Sequence, residues 1–161
     1  IEKGVIRWDQ IITVSSNASS MGGSQILLET GEKMSVDDLV KGIAIASGND
    51  AVVALAEAIA GTEENFVKMM NSKAKELGMK NTTFDNPSGL DQDKGNYSTA
   101  YDMALLTSYA MKLGEYKKIT NTKKYTLKTN MNTYVWINKN KLLFLSILIS
   151  FRSFVIIPLV L

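Results

Sequence analysis

The 161-residue chain contains neither cysteine nor histidine. Together these absences remove whole classes of chemistry: a disulfide framework, a thiol nucleophile, a Ser-His-Asp relay, and a zinc centre built on imidazole or thiolate ligands. Any hydrolytic chemistry would have to run on Ser, Lys, Asp, Glu, Tyr or backbone groups. The lack of cysteine suits an oxidising compartment and the cytoplasm equally, so it does not place the protein. The chain also opens at Ile1 with no initiator Met, charged n-region or apolar signal segment, so its natural start and any export signal are expected upstream.

What is present is enough apolar sequence, 45 % of residues, to bury a core belonging to one domain or part of a larger one. Net charge is only +2, but it is unevenly spread. Residues 1–112 carry 10 basic and 15 acidic side chains, a balance of −5, whereas 113–161 carry 8 and 1, a balance of +7. The lysines of 117–141 fall in alternating, strand-like sequence and read as a solvated sheet face, so nucleic acid is not expected as a partner.

Along the chain, 9–34 reads as loop with short extended pieces around a Gly22-Gly23 turn, with no helix expected. Ser35 with Asp38 three residues on, and Asp37 beside it, marks a helix start, and Leu39, Val40, Ile43 and Ala44 give that helix an apolar face. Residues 49–61 hold only Glu57 as a charge past Asp50 and predict a helix buried on every side, stopped at Gly61. Thr62 with Glu63 and Glu64 opens a covering helix that turns Phe66, Met69, Met70, Ala74 and Leu77 inward. A turn-rich loop follows, then a helix capped by Thr99 with Asp102, and then two alternating strands within 123–140. The class is α+β: a helical cluster leading into part of an antiparallel sheet.

Between the first two of these helices stands Ser47-Gly48-Asn49, small and polar within an apolar stretch. Taken alone, the tripeptide reads as a cap, with Ser47 or Asn49 satisfying the next helix's free amides. Capping explains one of the two side chains and leaves the other available. Gly48 would let the backbone turn sharply or a ligand approach closely.

With this tripeptide in place, the series "ASGNDAVVALAEAIAG", "FVKMMNSKAKELGMKNTTFDNPSGLD" and "YSTAYDMALL", followed by "INKNKLL", resembles the low-molecular-mass penicillin-binding proteins that are serine-type D-alanyl-D-alanine carboxypeptidases. The resemblance covers roughly 1–143 and implies a β-lactamase/transpeptidase-like fold, here incomplete. That family works with a Ser-x-x-Lys, a Ser-x-Asn and a Lys-Thr-Gly. Ser47-Gly48-Asn49 matches the second. The resemblance implies that Ser47 relays a proton between a lysine base and the departing amine, and that Asn49 binds the substrate's peptide amide and orients that lysine. A lysine base also fits the absence of histidine.

Two departures accompany the match. No Ser followed three residues on by Lys precedes Ser47, so the nucleophile's motif is expected just before Ile1, and the chain as given is expected to be inactive. Lys128-Thr129-Asn130 lacks the glycine of the third motif and precedes "INKNKLL" instead of following it, so it reads as ordinary strand. From Leu142 to Leu161 a 20-residue apolar run, interrupted by Arg152 and Pro158, is long enough to span a bilayer. An arginine near its centre disfavours that, and the preferred account is a shifted reading frame or an early-ended coding sequence.

The expectation is therefore a partial carboxypeptidase catalytic domain at 1–143 followed by an unrelated apolar tail at 144–161. It would trim the terminal D-alanine from peptidoglycan pentapeptide stems through an acyl-enzyme, with Ser47, Gly48 and Asn49 at its site. By resemblance, β-lactam antibiotics would inhibit the intact enzyme, no metal or organic cofactor is implied, and the location is the extracytoplasmic face of the bacterial cell envelope. Membrane association stays open. The alternatives are a class A β-lactamase, which needs a water-activating glutamate that Glu57, Glu63 and Glu64 do not obviously supply, and a non-catalytic helical module attached to a membrane by its tail. "NPSGLD" at Asn86–Asp91 reads as a structural turn, Asn138 and Asn140 could line a cleft but read as turn formers, and Trp8 and Trp136 read as core or interface residues.

Overall fold

The computed structural model describes residues 1–90 and 95–144. Its elements run β1 (Ile11–Thr13), α1 (Ser16–Ser19), β2 (Lys33–Ser35), α2 (Val36–Ala46), α3 (Asn49–Ala60), α4 (Glu63–Glu76), α5 (Ala100–Ala110), α6 (Gly114–Thr120), β3 (Lys124–Lys128) and β4 (Thr133–Ile137), with a short 3₁₀ turn at Lys141–Phe144. β1 pairs antiparallel with β2, and β3 with β4, as two separate hairpin-like ribbons. The apolar tail expected to begin at 144 lies outside the described residues from 145 on. Among the described residues no helix is long and apolar enough to cross a membrane.

The helix starts follow local chemistry. The Ser35 hydroxyl accepts from the Asp38 amide, Thr62 from Asn65 and Thr99 from Asp102, and each helix carries carboxylates in its first turn against the helix dipole. α2 buries Val36, Leu39, Ile43 and Ile45, and α3 buries every residue from Asn49 to Ala56. These two helices make the core, with Ile12, Val14, Ile26, Leu28 and Met34 packed beside them. Burial on every side of α3 therefore holds for its first two turns and lapses in the last, where Ala58 is exposed.

The β3–β4 ribbon closes the core from the other side. Its register sets Tyr125 opposite Trp136 and Leu127 opposite Tyr134, all on the inward face. Trp136 stacks on Tyr125 at 5.9 Å and lies 5.5 Å from Tyr134, centroid to centroid. Gly42 of α2 makes room for this: a Cβ there would stand 3.2 Å from the Trp136 ring and 2.7 Å from the Ile26 methyl. Trp136 is core and Trp8 packs partly buried against it, as expected.

Three features depart from the sequence reading. A four-residue helix, α1, sits where only loop was expected; it is capped by Ser15, whose hydroxyl also donates to Glu57 of α3 at 2.6 Å. So short a turn has no periodicity to detect, and a residue 42 positions away holds it. The second departure is α6, which takes Lys117 and Lys118 out of the expected sheet and into a helix, with Ile119 buried beneath them. Third, of the expected inward residues of α4 only Ala74 is buried; Phe66, Met70 and Leu77 are partly covered and Met69 is exposed. Phe66, Met69, Met70 and Ala74 line an apolar cavity of about 890 Å³ that α3, α6 and the first residues, from Ile1, also border.

Ser35→Ala removes both the α2 cap and the bond to Asp38, and should lower stability by about 1 kcal/mol. Urea unfolding followed by circular dichroism measures this, and an unchanged midpoint would show the cap to be dispensable.

Candidate functional site

The break between α2 and α3 is built by Ser47 and not by its glycine. Ser47 takes the left-handed conformation at φ 61°, ψ 46°, and its amide closes α2 onto the Ile43 carbonyl at 2.9 Å. Gly48 keeps an ordinary φ of −77°; what it supplies is space, since a Cβ there would lie 2.9 Å from the Ile26 side chain and 3.0 Å from an Asp50 carboxylate oxygen. The Ser47 side chain is half-buried and makes no hydrogen bond among the described residues.

Asn49 opens α3 and is 7 % exposed. Its amide donates to the Ser24 carbonyl at 2.8 Å, and its Nδ2 to the Gly22 carbonyl at 3.0 Å. Because Gly22 can only accept there, the carboxamide orientation is settled by chemistry: nitrogen toward the loop, Oδ1 free of any protein donor among the described residues. Gly23, at φ 76°, follows so closely that a Cβ would fall 2.7 Å from Nδ2. Neither Ser47 nor Asn49 caps α3 through its side chain, so the capping account of this tripeptide fails.

The group that does that work is Asp50, which the sequence reading passed over. At 1 % exposure its carboxylate accepts from the amides of Ile26 at 3.1 Å, Leu28 at 3.0 Å and Ala51 at 2.9 Å. It thus serves the start of α3 and also pins the 22–28 loop over Asn49. The available signal was an acidic residue in the first turn of an otherwise apolar helix, a favourable site beside the helix dipole.

Long-range packing adds a cation that spacing could not reveal. The Lys139 ammonium reaches the Ser24 hydroxyl at 3.1 Å and its amide the Ile45 carbonyl at 3.3 Å, which brings it to the loop bonded to Asn49. Leu90 of the "NPSGLD" turn also comes to this loop, 3.2 Å from a Cβ built at Gly23. That turn is structural, as expected: the Asn86 carboxamide oxygen accepts from the Ser88 and Gly89 amides, while Asp91 is outside the described residues. Asn138 likewise serves the chain path, donating to the Thr120 and Thr122 carbonyls and accepting from the Asn140 amide.

The remaining candidates are absorbed by structure. Glu57 binds Ser15 and Asn17, and Glu63 also receives Asn17, so neither is an unengaged base. Lys128 ends β3, Thr129 donates to Glu32, and Asn130 accepts from the Lys33 amide, which makes this triplet a ribbon turn. Glu32, wholly buried, also accepts from the Tyr134 hydroxyl at 2.7 Å. Burial, then the bond to Glu32, push the Tyr134 phenol well above its ordinary pKa. Tyr125 moves the same way through burial and its bond to Asp38. Burial works to lower the Lys41 ammonium, but Asp37 at 2.5 Å outweighs it and the net shift is upward.

This helical cluster with its antiparallel ribbons matches part of the fold of penicillin-binding proteins. It superposes on penicillin-binding protein 6B from Escherichia coli with a TM-score of 0.82 at 36 % identity, covering 90 % of this chain and 46 % of that one. The D-alanyl-D-alanine carboxypeptidase DacD from Francisella tularensis gives 0.74 at 46 % identity over 78 % of this chain and 30 % of its own. The chain belongs to the D-alanyl-D-alanine carboxypeptidase family, peptidase family S11, whose model matches residues 1–149. Its curated relatives include D-alanyl-D-alanine carboxypeptidase DacF of Bacillus subtilis, 51 % identical over 144 residues, 89 % of this chain. The chain spans 37 % of that relative's length.

Asp50→Asn presents an amide nitrogen to backbone donors and should cost about 2–3 kcal/mol. The denaturation midpoint measures this. A change below roughly 0.5 kcal/mol would mean the loop does not depend on this carboxylate.

Proposed function

We propose that this chain works as part of a serine-type D-alanyl-D-alanine carboxypeptidase that removes the terminal D-alanine from peptidoglycan stem peptides through an acyl-enzyme. The observation that carries the reading is the pairing of an unbonded, half-buried Ser47 hydroxyl with an Asn49 carboxamide whose nitrogen is anchored and whose oxygen is open. A hydroxyl without a fixed partner can accept a proton from a lysine and pass it to a leaving amine. A carboxamide oxygen held from behind can accept from a substrate peptide N–H without paying to become ordered. Family membership supports the same assignment for Ser47, Gly48 and Asn49.

In this reading residues 1–143 are part of a larger catalytic domain. The cavity of about 890 Å³, apolar and bordered by Ile1, supports it: α4 presents a lipophilic side to space that further residues of such a domain would fill. The acylating serine and its lysine would come from there, and β-lactams would acylate the same serine in the assembled enzyme. The substrate places the enzyme on the outer face of the bacterial cytoplasmic membrane.

Two experiments test this. Residues 1–143 exchanged for the aligned segment of the Bacillus subtilis relative should give a chimera that still releases D-alanine. Within it, Ser47→Ala should cut kcat by about 10²–10³-fold with the fold unchanged, and Asn49→Ala should also raise KM. A folded Ser47→Ala chimera at full activity would refute the assignment. Separately, the 161-residue chain alone should take no covalent label from fluorescent penicillin on a denaturing gel, and a labelled band would show that it carries its own nucleophile.

A further inference from the structure

The β3–β4 ribbon has two chemically distinct faces. Inward, Tyr125 donates to Asp38 at 2.7 Å and Tyr134 to Glu32 at 2.7 Å, so the carboxylates of neighbouring elements are engaged on that side. Outward, the register pairs Lys124 with Ile137, Thr126 with Val135 and Lys128 with Thr133. Val135 is 55 % exposed and Ile137 62 %. Neither Lys124 nor Lys128 has a carboxylate partner among the described residues. Residues 116–144 hold seven lysines and no acidic residue. Lys123, next to β3, lies over the ring of Phe144, itself 47 % exposed.

We propose that this outward face docks on an anionic phospholipid surface. Lysines with flexible stems can hold their ammonium groups at lipid phosphates while Val135 and Ile137 enter the boundary between headgroups and acyl chains. The aliphatic pair is what favours lipid over a soluble polyanion, because a hydrated polymer offers those side chains nothing to bury against. An ordinary solvated ribbon face would alternate its charges or carry polar residues at 135 and 137.

Sedimentation of the 161-residue chain with vesicles tests this. One vesicle is phosphatidylcholine alone and the other is phosphatidylcholine mixed with phosphatidylglycerol. The sequence 145–161 is apolar and carries Arg152, so it would favour both vesicles and the anionic one somewhat more, and the reading lies in the differences between the variants. Partition should be on the order of tenfold stronger on the anionic vesicles at low salt and fall as salt rises. Lys124→Gln with Lys128→Gln should lose on the order of tenfold of that binding, and Ile137→Ser about fivefold. All three positions are exposed, and circular dichroism checks the fold. The pair Lys80→Gln and Lys112→Gln, elsewhere on the surface, should lose far less. Equal loss in that pair, no preference for the anionic vesicles, or tight capture by soluble polyphosphate that Ile137→Ser leaves unchanged would each overturn the proposal, the last in favour of an anionic polymer.

Discussion

One buried carboxylate organises the region on which everything else depends. Asp50 sits at the amino end of α3 with no ion-pair partner among the described residues, and its carboxylate is held by backbone amides from two segments beside the helix dipole. Bonds from backbone amides to a carboxylate are individually worth about 1.5–3 kcal/mol, and a buried carboxylate left without them would carry its full desolvation cost. The loop consequently has no freedom to leave: its Ile26 and Leu28 amides have nowhere else to go in a dry core. Gly48 then follows as a steric consequence, since the loop is drawn so close that any Cβ at this position meets Ile26.

This constraint separates what the sequence could reveal from what it could not. Helix starts at Ser35, Thr62 and Thr99 were legible because a cap and its amide lie three residues apart. So were the buried character of α3 and the two alternating strands, each a matter of local period. The motif itself was legible as a resemblance, but its construction was not. Ser47 was read as a possible cap, whereas the first-turn Ala51 amide is met by Asp50 and the turn is made by Ser47. Lys139 reaches Ser24 across 115 positions, and Glu57 holds α1 across 42, distances at which a single sequence carries no pairing signal. α6 was lost for a further reason: Lys117, Tyr116 and Ile119 fit a strand's alternation as well as a helix's face, and seven residues are too few to decide between them.

The choice of serine at position 47 is the last point, and strain gives it meaning. Among the described residues, Leu27 and Ser47 are the non-glycine positions at positive φ; Leu27 lies within the loop that Asp50 holds, and Ser47 stands three residues before Asp50. A left-handed L-residue costs roughly 1–2 kcal/mol over glycine, which is the usual occupant of a helix end of this kind. Nothing local repays that cost through the Ser47 side chain, because it forms no bond to its own backbone or to a neighbour among the described residues. The conformation persists because the flanks enforce it: Ser47 is tied back to Ile43, Asn49 to Ser24, and the Ile45 carbonyl to Lys139. A joint serving only to turn the chain would be more stable with glycine at both 47 and 48. What serine adds, at a price in stability, is a half-buried hydroxyl left without a partner among the described residues, and backbone strain of this kind is the observation on which the proposed role of Ser47 rests.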